Sequence, residues 1–229
     1  MTLYGLELVR LADKEAAASF VADELVAAAR AGSSIALTGG RSPGRAYELA
    51  AEREPDWSGA TLWWGDERAV PPDDENSNYR LADETLIGLL TGRPQIRRIR
   101  GELGAQAAAD EYDRLLEGVR LDLILLGLGP DGHAASLFPN QPTLDERSRR
   151  AIPAKATLEP FVERVTMTLP VLCSAEEVLY LVTGESKADA VERAFAQPPS
   201  HDAPASLIRS TGGRTRAALD EAAASSLPH

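Results

Sequence analysis

Apolar and polar positions along the chain follow two patterns, one typical of amphipathic helices and one typical of buried strands. In residues 13–30, apolar side chains recur on one helical face, with Asp13 placed to cap the first turn and Gly32 just past the end. Residues 121–128 are apolar throughout apart from Asp122. These two segments predict an amphipathic helix and a central parallel strand that helices cover on both faces.

Shorter segments repeat the same two patterns and alternate along the chain. Apolar runs predict further strands at 33–37, 60–64, 96–99, 164–169 and 177–183. Amphipathic stretches predict further helices at 45–52, 78–90, 105–118 and 186–196. Strands that alternate with helices are typical of a layered α/β fold with a mostly parallel sheet. No repeat or low-complexity tract divides the chain, so we expect a single domain over residues 1–229.

Composition and charge narrow the class of protein. The net charge of −11 opposes binding to nucleic acid or to an anionic membrane surface. The single cysteine, Cys173, excludes an internal disulfide framework, and the three histidines are far apart in sequence. No apolar run reaches the ~18 residues of a membrane span, and the N-terminus lacks the features of a signal peptide. We therefore expect a soluble cytoplasmic protein with no nucleic-acid or membrane partner, present as a monomer or a weak homodimer.

The segment 38–43, with the sequence TGGRSP, joins a predicted strand to a predicted helix. Ligands of parallel sheets bind at the carboxyl ends of the strands, so such junctions are candidate binding segments. Gly39 and Gly40 let the backbone turn tightly, and Ser42 adds a hydroxyl. The N–H groups of the following helix start then predict a phosphate cradle. Neither the GK[ST] nor the GxGxxG motif is present, and an ordinary Gly-Gly turn is the alternative.

A second candidate segment follows the strand predicted at 60–64. Residues 65–78 form a predicted polar loop, and Asp66, Glu67 and Arg68 stand closest to the strand end, where they are well placed to meet a ligand. An arginine at this place offers a planar, two-pronged contact to phosphate or sugar oxygens. A solvated acidic loop is the alternative, and we favour it for the acidic residues further along the segment.

The strongest candidate for acid–base chemistry follows the central strand, where residues 127–133 have the sequence GLGPDGH. Three glycines surround Asp131 and His133 at what we predict to be a strand-to-helix turn. Histidine titrates near neutral pH and therefore suits a general base. Asp131, two residues earlier, is placed to orient the imidazole. A structural or superficial histidine is the alternative.

Two basic residues complete the set of candidates. Lys187 lies in the first turn of the helix predicted at 186–196, where a cation opposes the helix dipole unless an anion is bound nearby. Arg164 opens the strand predicted at 164–169, and an ordinary surface charge is its alternative. Both residues indicate an anionic ligand if the fold brings them to one edge of the sheet.

Taken in order, the segments TGGRSP, WWGDERAVPPDDENSNY, LGLGPDGHAASLFP, RVTMTLP and TGESKA resemble the 6-phosphogluconolactonase family. The resemblance extends from residue 33 to residue 187, within a wider group that includes glucosamine-6-phosphate deaminase and relatives of ribose-5-phosphate isomerase. It implies a three-layer α/β/α sandwich that hydrolyses 6-phospho-D-glucono-1,5-lactone to 6-phospho-D-gluconate. It also implies that the partner is this small sugar-phosphate lactone and that neither a cofactor nor a metal takes part.

The resemblance implies roles for individual residues. It assigns catalytic positions to His133 as the general base and to Asp131, Arg68 and Asp66. It assigns phosphate binding to Gly39, Gly40, Arg41, Ser42, Arg164 and Lys187. The phosphate loop of the family commonly has the sequence SGGSTP, so the TGGRSP of this chain leaves the role of the Arg41 side chain open.

Two other functions share parts of this pattern. A glucosamine-6-phosphate isomerase/deaminase has a similar acidic pair and a DGH turn. That class tends to carry a glutamate after DGH, where this chain has SLFP at 136–139, and to lack the arginine at position 68. A sugar-phosphate-sensing regulator needs a DNA-binding element, for which the stretch before the first helix leaves no room. The pattern favours the lactonase, with the isomerase/deaminase as the alternative.

Overall fold

The computed structural model describes residues 2–227, in which strands and helices alternate along most of the chain. The α-helices are α1 (Lys14–Arg30), α2 (Arg41–Arg53), α3 (Asn78–Thr85), α4 (Ala105–Leu115), α5 (Leu169–Ser174) and α6 (Ala188–Phe195). The strands are β1 (Thr2–Leu3), β2 (Leu6–Leu11), β3 (Ser34–Leu37), β4 (Thr61–Trp64), β5 (Asp66–Arg68), β6 (Gln95–Arg97), β7 (Leu123–Leu126), β8 (Ala151–Lys155), β9 (Glu163–Met167), β10 (Glu177–Val182) and β11 (Arg214–Asp220). Within residues 2–227, every helix is too short or too polar to cross a lipid bilayer.

Eight strands form a central sheet in the order β1-β2-β11-β10-β7-β3-β4-β6. Every neighbouring pair is parallel except β1 with β2. All residues of the interior strands β7 and β10 are buried, as expected of strands that are covered on both faces. The structure confirms the predicted α/β class, with a mostly parallel central sheet flanked by helices.

The helix predicted at 13–30 is confirmed as α1. The carboxylate of Asp13 accepts a hydrogen bond of 2.8 Å from the backbone N–H of Ala16, which caps the first turn. Val21 and Leu25 on its apolar face are fully buried, and the helix packs against β10 and β11. Helical spacing of the apolar residues thus decides which face of α1 covers the sheet.

A smaller antiparallel sheet, in the order β5-β9-β8, differs from the prediction. The polar loop predicted over residues 65–78 is wrong at its start, because Asp66–Arg68 forms strand β5. In the register of this sheet, Asp66 is opposite Thr166 and Arg68 is opposite Arg164. The partner strand lies far along the chain, so the local pattern carries no sign of the pairing. Residues that are opposite each other in an antiparallel pair share one face, which brings the two arginines together.

Strand β11 is also absent from the prediction. Its first residues include Arg214 and Arg216, and charged residues are uncommon in a buried strand. Arg216 donates hydrogen bonds to Glu177 (2.6 Å) and to Glu24 (2.9 Å), so its charge is paired next to β10. Pairing with carboxylates makes burial of this guanidinium possible.

Some helix ends differ from the predicted ones. α2 begins at Arg41 instead of residue 45, and Gly40 is its N-cap residue. α3 ends at Thr85, and a separate 3₁₀ turn, Ile87–Leu89, takes up the rest of the predicted helix. α6 begins at Ala188 after a 3₁₀ turn, Glu185–Lys187, which contains the predicted site residue Lys187.

Tyr112 of α4 holds the end of β4 just before the site. Its buried hydroxyl accepts a hydrogen bond from the Trp64 N–H (2.9 Å) and donates one to the Trp64 carbonyl (3.1 Å). We expect Tyr112→Phe to lower the free energy of unfolding by about 1–3 kcal/mol, because a buried N–H loses its partner. Denaturant titration measures this change. Tyr4→Phe, at a half-exposed residue, is the control and is expected to leave the stability unchanged; equal stability of the two variants would contradict the prediction.

Candidate active site

An open pocket of about 620 Å³ lies at the carboxyl ends of the central strands. Parallel strands end at this edge, so the loops that follow β3, β4, β7 and β10 meet there. The pocket lining includes eight of the residues predicted from sequence: Gly39, Gly40, Ser42, Asp66, Arg68, His133, Arg164 and Lys187. Asp131 contacts His133 from behind the lining, and the side chain of Arg41 lies outside the described part of the structure.

The loop between β3 and α2 presents the start of a helix to the pocket. Gly40 has φ = 104°, a conformation that favours glycine, and it immediately precedes α2. At Gly39 a Cβ atom would lie 1.8 Å from Oδ1 of Asn78, so any other residue would have to displace this buried side chain. Ser42 shares a hydrogen bond of 2.9 Å with Thr183, at the end of β10. The backbone N–H groups at this helix start are suited to an anion such as phosphate.

His133 and Asp131 form a close pair on the turn after β7. Nδ1 of the imidazole lies 2.5 Å from Oδ1 of Asp131, and the His133 backbone N–H donates to the same oxygen. A carboxylate on Nδ1 favours the tautomer that carries its proton there, which leaves Nε2 as the acceptor. Burial works against ionisation of Asp131, but its hydrogen bonds with His133 outweigh this, so the pKa of Asp131 lies below its ordinary value.

Glycines shape the turn that carries this pair. A Cβ atom at Gly129 would lie 2.0 Å from Nδ1 of His133, so the imidazole packs directly over the glycine backbone. Gly132 has φ = 90°, and a Cβ atom added at this residue would lie only 3.0 Å from Ala203. The predicted helix after this turn is wrong. The chain makes an isolated antiparallel bridge between Ala134 and Leu137 instead.

Arg68 and Arg164 lie opposite each other on β5 and β9, and both line the pocket. Arg164 donates to the carbonyls of Pro160 (3.0 Å) and Val162 (3.3 Å). Burial lowers the pKa of Arg164, and the charge of Arg68 lowers it further. Arg68 donates to the carbonyl of Asn76, and its buried Nε has no hydrogen-bond partner. The half-buried guanidinium of Arg68 and the buried guanidinium of Arg164 repel each other, and an anion bound between them relieves that repulsion.

The segment after β10 supplies the last predicted residue, Lys187, at the end of a 3₁₀ turn. Nζ of Lys187 donates a 2.7 Å hydrogen bond to the carbonyl of Leu128, beside the turn that carries His133. The loop before Lys187 is held by Asp220, whose two carboxylate oxygens each lie 3.0 Å from the Gly184 nitrogen. The lysine therefore faces the pocket from a fixed loop.

The family model for glucosamine-6-phosphate isomerases and 6-phosphogluconolactonases matches residues 11–217. The chain belongs to this family. It is 36% identical to the 6-phosphogluconolactonase of Streptomyces coelicolor, over 97% of this chain and 95% of that protein. It is 37% identical to the human 6-phosphogluconolactonase, over 87% of this chain and 82% of that protein. The solved structure of the Trypanosoma brucei 6-phosphogluconolactonase superposes with a TM-score of 0.86 at 25% identity, covering 97% of this chain and 99% of that chain.

Three polar residues to which the resemblance assigns no role, Glu67, Asn78 and Ser136, support the segments around the site of this family member. Glu67 points away from the pocket and accepts hydrogen bonds of 2.7 Å from the backbone N–H groups of Asn78 and Tyr79, at the start of α3. Burial raises the pKa of Glu67, against these hydrogen bonds, which lower it. Asn78 and Ser136 both bond to Asp66. Each lies inside a segment that carries the family resemblance, but only the folded structure shows which residue it contacts.

Proposed function

We propose that the protein hydrolyses 6-phospho-D-glucono-1,5-lactone to 6-phospho-D-gluconate. The names of its relatives support this activity. The observation that carries the proposal is that His133, paired with Asp131, lines the same pocket as a helix-start anion cradle and the two arginines. A lactone with a phosphate at its far end needs one group to activate water and another, some distance away, to hold the phosphate.

The phosphate end binds first in this proposal. The backbone N–H groups of residues 39–42 surround the phosphate oxygens, and Arg164 and Lys187 supply positive charge. Contacts of this kind are charge-assisted and directional. They fix the remote end of the sugar, so that the lactone carbonyl carbon, C1, stays beside His133. Holding the reacting atoms in position supplies part of the rate increase without any change at C1.

Hydrolysis then proceeds as acyl transfer to water. Nε2 of His133 takes a proton from water while the water oxygen bonds to C1, and the carbonyl oxygen becomes an oxyanion. Arg68 donates to this oxyanion. The bond between C1 and the ring oxygen then breaks, and the proton on Nε2 moves to the ring oxygen, which becomes a hydroxyl. General base catalysis contributes roughly 10²–10⁴-fold, and stabilisation of the oxyanion adds about 10²–10³-fold.

Asp131 acts through the imidazole. The low pKa of Asp131 keeps it ionised, so it stabilises the protonated His133 that forms during attack. The lactone is already a reactive ester, and the proposed steps use only side chains of this chain and water. We further propose that one domain carries the activity and that the enzyme works in the cytoplasm.

A second function must be tested, because the matching family model covers glucosamine-6-phosphate isomerases as well as lactonases. The test presents purified protein with 6-phosphogluconolactone, generated in situ by glucose-6-phosphate dehydrogenase, and separately with glucosamine 6-phosphate. We expect faster loss of the lactone than by spontaneous hydrolysis and no release of ammonia. Release of ammonia together with an unchanged rate of lactone loss would overturn the proposal in favour of the isomerase/deaminase.

A further inference from the structure

The carboxylate of Asp66 is held by two side chains from distant parts of the chain. The Ser136 hydroxyl donates to Oδ2 at 2.5 Å, and Nδ2 of Asn78 donates to Oδ1 at 3.2 Å and to the Asp66 carbonyl at 2.9 Å. Asp66, Asn78 and Ser136 are 5%, 2% and 0% exposed. Asp66 lines the pocket, whereas Ser136 lies behind it. Both carboxylate oxygens are therefore fixed from the protein side of the site.

The direction of the Asn78 amide follows from its partners. The carbonyl and the carboxylate of Asp66 are both acceptors, so the NH₂ group of Asn78 must face them. Oδ1 of Asn78 then lies against Gly39, within 1.8 Å of where a Cβ atom would stand. Asn78 thus contacts both Asp66 and Gly39, the latter a residue of the phosphate cradle.

The backbone around Ser136 is built to aim its hydroxyl at Asp66. Ala135 has φ = 51°, in the left-handed region that residues with a Cβ seldom adopt. The Ser136 N–H donates to the Thr166 hydroxyl at 3.2 Å, and Thr166 is opposite Asp66 across β5 and β9. The left-handed Ala135 and the hydrogen bond to Thr166 therefore both help to position the Ser136 hydroxyl. Backbone conformations of this kind concentrate at functional sites.

A serine hydroxyl has a single proton, and Ser136 donates it to Asp66. Donors on both oxygens fix the carboxylate, each oxygen keeps a lone pair that can accept a further hydrogen bond, and Asp66 lines the pocket. We propose that Ser136 is a positioning residue for lactone hydrolysis: it holds Asp66 so that the carboxylate accepts a hydrogen bond from a sugar hydroxyl and orients the ring for attack at C1. This inference rests on the proposed function, and it adds a residue to which the resemblance assigns no role.

A double-mutant cycle on Ser136 and Asp66 tests the proposal. We expect Ser136→Ala to lower kcat for the lactone by roughly 10- to 100-fold, as small errors in substrate placement do, while KM changes by less than about threefold. Asp66→Asn is expected to lower kcat at least as much. Because Ser136 acts through Asp66, adding Ser136→Ala to Asp66→Asn should lower kcat by no more than about twofold further. Independent effects that multiply in the double variant would overturn the proposal, as would a kcat unchanged by Ser136→Ala.

Two further variants separate positioning from a general loss of structure. Ser136→Cys fills the buried position with a slightly larger side chain but offers only a weak donor, so we expect the same loss of kcat if the alanine variant does not fold. Ser210→Ala is the matched control, because the Ser210 hydroxyl also donates to a protein acceptor, the Ala175 carbonyl, at the opposite edge of the sheet. It should keep wild-type kcat and KM. Full activity of a folded Ser136→Cys variant would overturn the proposal.

The wild-type assay comes first and distinguishes the two claims. A folded wild-type protein that does not accelerate loss of the lactone rejects the proposed function, and the role of Ser136 with it. If the wild-type protein is active but the effects of Ser136→Ala and Asp66→Asn on kcat multiply in the double variant, only the role of Ser136 is rejected. An active wild-type protein with a non-additive cycle supports both.

Discussion

Replacing His133 with asparagine is expected to lower kcat for lactone hydrolysis by roughly 10²–10⁴-fold and to leave the binding of 6-phosphogluconate almost unchanged. An asparagine amide cannot accept a proton from water at neutral pH, but it fills nearly the same space next to Asp131. The proposed phosphate contacts come from other segments of the pocket lining: the loop after β3, the start of β9 and the loop after β10. Binding and turnover should therefore separate in this variant.

Calorimetric titration with the product measures binding, and the in situ lactone assay measures kcat. The matched control is His201→Asn, at an exposed residue whose backbone carbonyl accepts from Asn140 but whose side chain is outside the pocket lining. The control should keep full turnover. If His133→Asn also turned over at the wild-type rate, His133 would not be the base.

Replacing Arg68 with lysine is expected to lower kcat by about 10²–10³-fold, the usual effect of removing one oxyanion donor. Lysine keeps the positive charge but loses the planar set of N–H groups, so the loss of kcat reports geometry more than charge. Arg68 has a buried Nε without a hydrogen-bond partner and lies beside Arg164, a position at which a developing negative charge is strongly stabilised.

Steady-state kinetics on the lactone distinguishes two roles for Arg68. A loss in kcat with little change in KM places Arg68 at the oxyanion. A rise in KM with wild-type kcat would contradict this role and place Arg68 at the phosphate instead. Arg30→Lys is the control, because Arg30 forms an exposed ion pair with Glu54 at 2.5 Å, and such pairs contribute little.

Much of the fold and of the candidate site follows from local sequence pattern. Residues 121–128 predict the interior strand β7 because a strand covered on both faces has to be apolar throughout. Once a parallel sheet is predicted, the segments after its strands are expected at one edge, which is how Gly39, His133 and Lys187 could be grouped before the structure was known.

The features that escaped prediction depend on contacts between distant segments. Strand β11 was not predicted because Arg216 interrupts its apolar pattern. This arginine can be buried because it is paired with Glu24 and Glu177. Strand β5 is three residues long and is defined by its pairing with β9. Ser136 carries no local mark of its partner, because its hydroxyl meets a carboxylate 70 positions away along the chain. Local periodicity contains no information about such pairs.

A comparison of two lactones tests most directly whether the pocket hydrolyses a lactone that is held by its phosphate. The rates of loss of 6-phosphogluconolactone and of phosphate-free gluconolactone are measured with and without the protein, and the spontaneous rate is subtracted. We predict clear acceleration for the phosphorylated lactone, with kcat/KM about 100-fold or more above that for the phosphate-free one, because phosphate contacts place C1 beside His133. Equal acceleration of both lactones would contradict anchoring by the phosphate, and no acceleration of either by folded protein would contradict the lactonase assignment itself.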